Sequence, residues 1–166
     1  MKKVIMVMAP LFAVACATQP VAQPGATAAL KATAGNQVGG NVSFSQVGDK
    51  LIVVAEASGL TPGLHGFHIH DKGDCSAPDA TSAGGHFNPH GKAHGHPGQT
   101  DHHAGDMPQL EAGADGKASL KAELLGVRLQ EIIGRSVIVH AAPDDFKTQP
   151  TGNSGARVAC GLITTR

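Results

Sequence analysis

The chain has no tryptophan and no tyrosine, and aromatic residues make up only 3% of its 166 residues. Its core must therefore be built mainly from Val, Ile, Leu, Ala and the five Phe. It has no net charge, because 13 Lys and Arg face 13 Asp and Glu. Without a basic excess there is no electrostatic footprint for nucleic acid, and without an acidic tail none for a basic partner. Cysteine is scarce, with three in the chain. That is too few for the four-thiolate sets of all-cysteine zinc fingers and iron–sulfur clusters. The longest apolar run, Val4–Val14, is too short to span a bilayer. There is no internal repeat, and no helical periodicity beyond one turn near Leu129–Ile133.

That apolar run follows Lys2 and Lys3 and ends at Ala13-Val14-Ala15, directly before Cys16. Positive charge, apolar stretch and small-residue cleavage pattern together read as an export leader over residues 1–15. A cysteine next to the cleavage point resembles a bacterial lipoprotein signal, which places the mature protein in the periplasm, anchored through a lipid on Cys16. Simple cleavage near Ala15 or Ala17, with no lipid, is the other outcome the pattern allows. Residues 16–36 are rich in Ala, Thr, Gln, Pro and Gly and read as a flexible linker, leaving 37–166 as one domain. In an oxidising compartment the remaining two cysteines, Cys75 and Cys160, favour one disulfide.

Within the domain the apolar pattern has a period of two. Val42 and Phe44 alternate with Asn41, Ser43 and Ser45, and Lys50–Ala57 follows after a Gly48-Asp49 turn. Leu64–His70, Ser136–His140 and Arg157–Thr164 are further extended runs. Leu110–Ala112 and Lys117–Leu125 flank Asp115-Gly116, a hairpin signal. Twenty-two glycines supply turns between short strands. The expected fold is all-β: an antiparallel Greek-key sandwich or barrel. Two stretches, Asp71–Met107 and Ala141–Ala156, have no periodicity. Long irregular loops in compact domains usually carry function.

The abundant residue is histidine. There are ten, seven of them between His65 and His96. Residues two apart on a strand point the same way, so His68 and His70 can reach one ion. His140 ends another apolar strand. The Asp71–Met107 loop adds His86, His90, His94, His96, His102, His103 and Asp106. An all-nitrogen set suits Cu(II), and three imidazoles with one carboxylate suit a closed zinc site. His65 lies three residues before His68, faces the other way on an extended strand, and reads as a structural histidine.

Four segments in unbroken order resemble the copper–zinc superoxide dismutase family. They are Gly63-Leu64-His65-Gly66-Phe67-His68-Ile69-His70 with Gly73-Asp74-Cys75, then Gly85-His86-Phe87-Asn88-Pro89, then His103-Ala104-Gly105-Asp106-Met107, and Gly152-Asn153-Ser154-Gly155-Ala156-Arg157-Val158-Ala159-Cys160-Gly161. The resemblance runs from about Val38 to Ile163. It implies copper on His68, His70, His86 and His140. It implies zinc on His86, His94, His103 and Asp106, with His86 shared. Asp144 would join a copper histidine to a zinc histidine, Arg157 would guide the substrate anion, Thr151 would stand at the channel mouth, and Cys75 would pair with Cys160. The implied reaction turns superoxide into oxygen and hydrogen peroxide, with Arg157 and His86 as the catalytic residues. Family members occur as monomers and as homodimers. The competing reading is a periplasmic copper or zinc buffer without turnover, which has no need of Arg157.

Overall fold

The computed structural model describes residues 25–166, so the expected leader and Cys16 lie outside the described residues. Ten strands follow in chain order: β1 (Gly25–Ala32), β2 (Gly39–Val47), β3 (Lys50–Ser58), β4 (Gly63–His65), β5 (Phe67–His70), β6 (Leu110–Ala112), β7 (Ala118–Leu125), β8 (Ser136–His140), β9 (Arg157–Leu162) and β10 (Thr164–Thr165). A single helical turn, α1 (Leu129–Ile132), precedes β8. All pairings of these strands are antiparallel. The main sheet runs β5-β8-β9-β1-β2-β3-β7, with β10 also on β1, and β4 pairs with β6 in a second sheet. This is the all-β, curled antiparallel architecture the strand pattern predicts.

Alternation sets which face is buried. Val42 and Phe44 of β2 stand opposite Ala55 and Val53 of β3, and all four are buried. Their neighbours Ser43 and Val54 face outward or lie at the margin. With no Trp or Tyr, the interior is filled by Phe44, Phe67, Leu51, Ile69, Met107, Leu110, Ile132 and Ile163. Alanines occupy the tight positions between strands.

Two expectations need correction. Residues 25–32 are not part of a flexible linker; they form β1, between β2 and β9. Ala26, Ala28 and Leu30 point inward and are at most 5% exposed. Two alanines and a leucine among Thr, Gly and Lys carry little hydrophobic signal, and the closely packed sheet, not strand propensity, holds them. The Asp115-Gly116 hairpin is the second correction. The turn forms, with Gly113 N–H donating to the Lys117 carbonyl at 2.9 Å. Yet it joins two sheets, because β6 pairs with β4 and β7 pairs with β3.

The two aperiodic stretches are the long connections β5–β6 and β8–β9. Cys75 in the first is bonded to Cys160 in β9, 85 residues away.

Candidate metal centre

Three short backbone bonds bring the histidine segments together. Ile69 N–H donates to the Gly105 carbonyl at 2.9 Å, Gly105 N–H to Phe87 at 2.8 Å, and Phe87 N–H to Ile69 at 2.8 Å. Ile69 lies between His68 and His70, Phe87 follows His86, and Gly105 separates His103 and Asp106. Only glycine fits at the middle of this triangle: a Cβ on Gly105 would collide with the Ile69 carbonyl oxygen and lie 3.0 Å from Phe87 N.

Two clusters result. One holds His68, His70, His86 and His140; the other holds His86, His94, His103 and Asp106; all seven residues are buried. Within each cluster one ligand atom per residue lies within 4.8 Å of the others. Five buried ring nitrogens have no hydrogen-bond partner: His68 Nδ1, His70 Nε2, His86 Nε2, His94 Nδ1 and His140 Nε2. Buried polar atoms are normally paired, so five orphans converging in one region mark a place for something else. Four belong to the all-histidine cluster and supply the nitrogen-only donor set that suits copper.

The second cluster has the dimensions of a tetrahedral zinc site. Asp106 Oδ1 lies 2.8 Å from His86 Nδ1, 3.1 Å from His94 Nδ1 and 3.3 Å from His103 Nδ1. His103 Nδ1 and His86 Nδ1 are 3.4 Å apart. Ligands at zinc-bond length around a tetrahedron stand about 3.3 Å apart. His86 presents Nδ1 to this cluster and Nε2 to the other, so one ring belongs to both.

The other ring nitrogens of His68, His70, His94 and His140 are held by acceptors, which fixes each tautomer. His70 Nδ1 donates to the Gly84 carbonyl at 2.9 Å and His140 Nδ1 to Gly155 at 3.2 Å. Asp144 takes His68 Nε2 at 2.7 Å on one oxygen and His94 Nε2 at 2.9 Å on the other, linking the two clusters. Burial holds His86 down to about 4, against the Asp106 hydrogen bond, and His140 to about 3. It also lowers His68, and drives His70 well below its ordinary value. All four rings are thus neutral and ready to ligate near neutral pH. For His94 burial pulls downward as well, but the Asp106 and Asp144 carboxylates beside its ring outweigh it and raise the group to about 9. Burial would raise both carboxylates; the imidazoles hold them far below the carboxylate range instead.

Arg157 stands beside the all-histidine cluster. Its Nη1 donates to the Ala80 carbonyl and its Nη2 to the Gly84 carbonyl, each at 2.6 Å. Gly84 is the same acceptor used by His70. Thr151 is half-buried on the β8–β9 connection. His65 is buried, with Nδ1 on the His140 carbonyl and Nε2 on the Thr61 carbonyl, both at 2.8 Å. His90 and His96 are exposed and His102 is half-buried; none of the three joins either cluster.

The match with known proteins follows the same residues. The sequence profile described as Copper/zinc superoxide dismutase (SODC) matches residues 38–163. The chain belongs to the copper/zinc superoxide dismutase family. A relative from Onchocerca volvulus, "Superoxide dismutase [Cu-Zn]", is 43% identical over 151 residues, covering 82% of this chain and 95% of that protein. "Extracellular superoxide dismutase [Cu-Zn]" of Brugia pahangi is 42% identical over 150 residues, covering 83% of this chain and 74% of that protein. Both relatives are nematode proteins, so the bacterial origin suggested by the leader finds no support in them. Membership in this dismutase family, together with clusters that fit copper and zinc, favours the catalytic reading over a metal buffer.

Sequence reasoning missed the supports of the centre. Gln149 Oε1 accepts the His94 N–H at 2.8 Å, and Gln149 Nε2 donates to the His94 carbonyl at 2.9 Å. Gln109 Oε1 accepts the Asp144 N–H at 2.8 Å. Thr33 Oγ1 donates to the Arg157 carbonyl at 2.7 Å. An isolated Gln or Thr in a polar stretch carries no sequence signal for such a role.

Proposed function

We propose that this chain converts two superoxide anions and two protons into oxygen and hydrogen peroxide. His68, His70, His86 and His140 hold the copper, and His86, His94, His103 and Asp106 hold the zinc. The observation that carries this reading is the shared His86 ring, with one nitrogen in each cluster and its Nε2 unpaired. Copper supplies one-electron oxidation and reduction, and zinc supplies fixed charge without redox chemistry. The chain's own residues do the rest. The Arg157 guanidinium, braced on two carbonyls, presents its remaining donors and charge to the anion. His86 Nε2 is the atom placed to take up and hand over a proton. Thr151 narrows the approach. Asp144 fixes the tautomers of His68 and His94, leaving each Nδ1 free to ligate.

The test is direct. The purified protein loaded with copper and zinc removes superoxide, and His140→Ala, which takes away one of four nitrogens, loses both the copper absorption and the activity. A loaded wild type without activity leaves only the metal buffer.

Export is supported by the leader pattern of residues 1–15 and by the disulfide, which persists in oxidising compartments. One relative is extracellular by name. Anchoring in a bacterial periplasm through lipidated Cys16 rests on Ala13-Val14-Ala15-Cys16 alone. Mass spectrometry of the mature N-terminus reads it: an unmodified terminus beyond Cys16 removes the anchor. A homodimer is an assembly the family resemblance admits, and light scattering of the pure protein decides it.

A further inference from the structure

We propose that Gln149 is a positioning residue for the zinc site: its carboxamide latches the Ala141–Ala156 loop onto the main chain of His94 and so keeps that imidazole aimed at the metal. The proposal rests on the assignment of His94 to zinc made above.

His94 lies in a stretch without helix or strand, yet it is only 3% exposed. Among the described residues its N–H and carbonyl have no main-chain partner. Buried peptide groups need partners, and here one side chain supplies both. Gln149 Oε1 accepts from the N–H at 2.8 Å and Gln149 Nε2 donates to the carbonyl at 2.9 Å. A carboxamide sets an acceptor and a donor side by side, as a peptide group does, so it closes a two-bond bridge like that of a neighbouring strand. The partners also fix which end of the amide is oxygen, since an N–H needs an acceptor and a carbonyl needs a donor.

The same loop holds the other end of His94. Asp144 Oδ1 accepts from His94 Nε2 at 2.9 Å, and the Phe146 ring lies nearly parallel to the His94 ring, 6.4 Å away. A side chain at Gly152 would collide with Asp144 and come 2.6 Å from His94 Nε2, so the loop is packed as closely as glycine allows. With ring and main chain both held, His94 Nδ1 has one position relative to His86, His103 and Asp106. Without Gln149 the ring keeps its Asp144 contact and the Gly95 N–H keeps its bond to Asp106 Oδ2 at 3.1 Å, but the His94 N–H and carbonyl lose the partner that fixes them. Partners outside the ligand set change metal affinity about 10–100-fold. Gln149 acts through the main chain while Asp144 still holds the ring, so the lower end, about tenfold, is expected.

The experiment compares wild type, Gln149→Ala, Gln149→Glu and His94→Ala, each loaded with copper and zinc. Zinc release to a chromogenic chelator and hydrogen exchange of the His94 amide are measured, with the copper absorption band as a control. Gln149→Ala should release zinc about tenfold faster and expose the His94 amide, while the copper band stays unchanged. Gln149→Glu keeps an acceptor for the N–H but loses the donor, so it should retain amide protection and release zinc at an intermediate rate; it also serves if the alanine variant misfolds. Zinc release within twofold of wild type in both Gln149 variants overturns the latch. Should His94→Ala lose zinc while both Gln149 variants keep it, the latch alone fails. If His94→Ala holds zinc as wild type does, the zinc assignment fails and the latch with it.

Discussion

At the scale of single residues, charge and hydrogen bonds divide the labour around the centre. Arg157 spends two donors on the Ala80 and Gly84 carbonyls, which orient it, and keeps its charge beside His70 and His140. A hydrogen bond to a charged group contributes about 1.5–3 kcal/mol. Arg157→Ala should therefore lower the superoxide rate by about ten- to a hundredfold, since each 1.4 kcal/mol is a factor of ten. Copper and zinc content should not change, because Arg157 is in neither cluster. Pulse radiolysis on the fully loaded variant reads this, and an unchanged rate removes Arg157 from the substrate's path. The six clustered histidines were legible from spacing and from resemblance. Gln149, Gln109 and Thr33 were not, because each acts on another residue's main chain, which only the fold brings near.

At the scale of elements, the centre depends on three segments meeting at Gly105. A Cβ there must displace the Ile69 carbonyl or the Phe87 backbone. Overpacking of this kind costs about 1–3 kcal/mol. Gly105→Ala should lower the melting temperature and weaken both metal sites together, because Ile69 adjoins two ligands of one cluster and Phe87 adjoins the shared His86. Metal analysis with thermal unfolding checks it; loss at one site only contradicts the common hinge. Strand β1 gives a second test at this scale. It sits between β2 and β9, and Thr33 just beyond it braces Arg157. A chain beginning at Gly25 should fold and bind both metals, whereas one beginning at Gln37 should not fold. Circular dichroism of the two shortened chains distinguishes the observed boundary from the one composition suggested.

At the scale of the whole molecule, burying so many imidazoles makes the stability of the metal-free chain depend on pH in both directions. The unfolded reference for histidine is about 6.5. His86 and His140 are held near 4 and near 3 in the fold, so below pH 6.5 the unfolded chain takes up protons the fold refuses, and stability falls as pH drops. His94 is raised to about 9, so its contribution is complete below 6.5 and disappears as pH climbs through 9. Asp106 and Asp144, held low, contribute above the ordinary carboxylate range and lose that contribution in acid. Stability of the metal-free protein should peak near pH 6.5 and decline on both sides. Urea unfolding between pH 4 and pH 9 measures it; a flat profile contradicts the burial of these rings. Closing a loop of 85 residues, the disulfide adds about 4–5 kcal/mol at most on the chain-entropy account.

The sequence by itself determined the strand period, the aliphatic core, the two long connections and the chemical type of both metal sites, because periodicity and ligand type are local properties of the chain. Tertiary structure decided what depends on distance. It turned an Ala- and Thr-rich stretch into the β1 strand of the main sheet, and it sent β6 to β4 instead of to its neighbour in sequence. It also brought the segments of His68 and His70, of His86, and of His103 and Asp106 together by closing Ile69, Phe87 and Gly105 into one hydrogen-bonded triangle. That meeting needs long-range backbone pairing; His90, His96 and His102, with the same chemistry, lie outside both clusters.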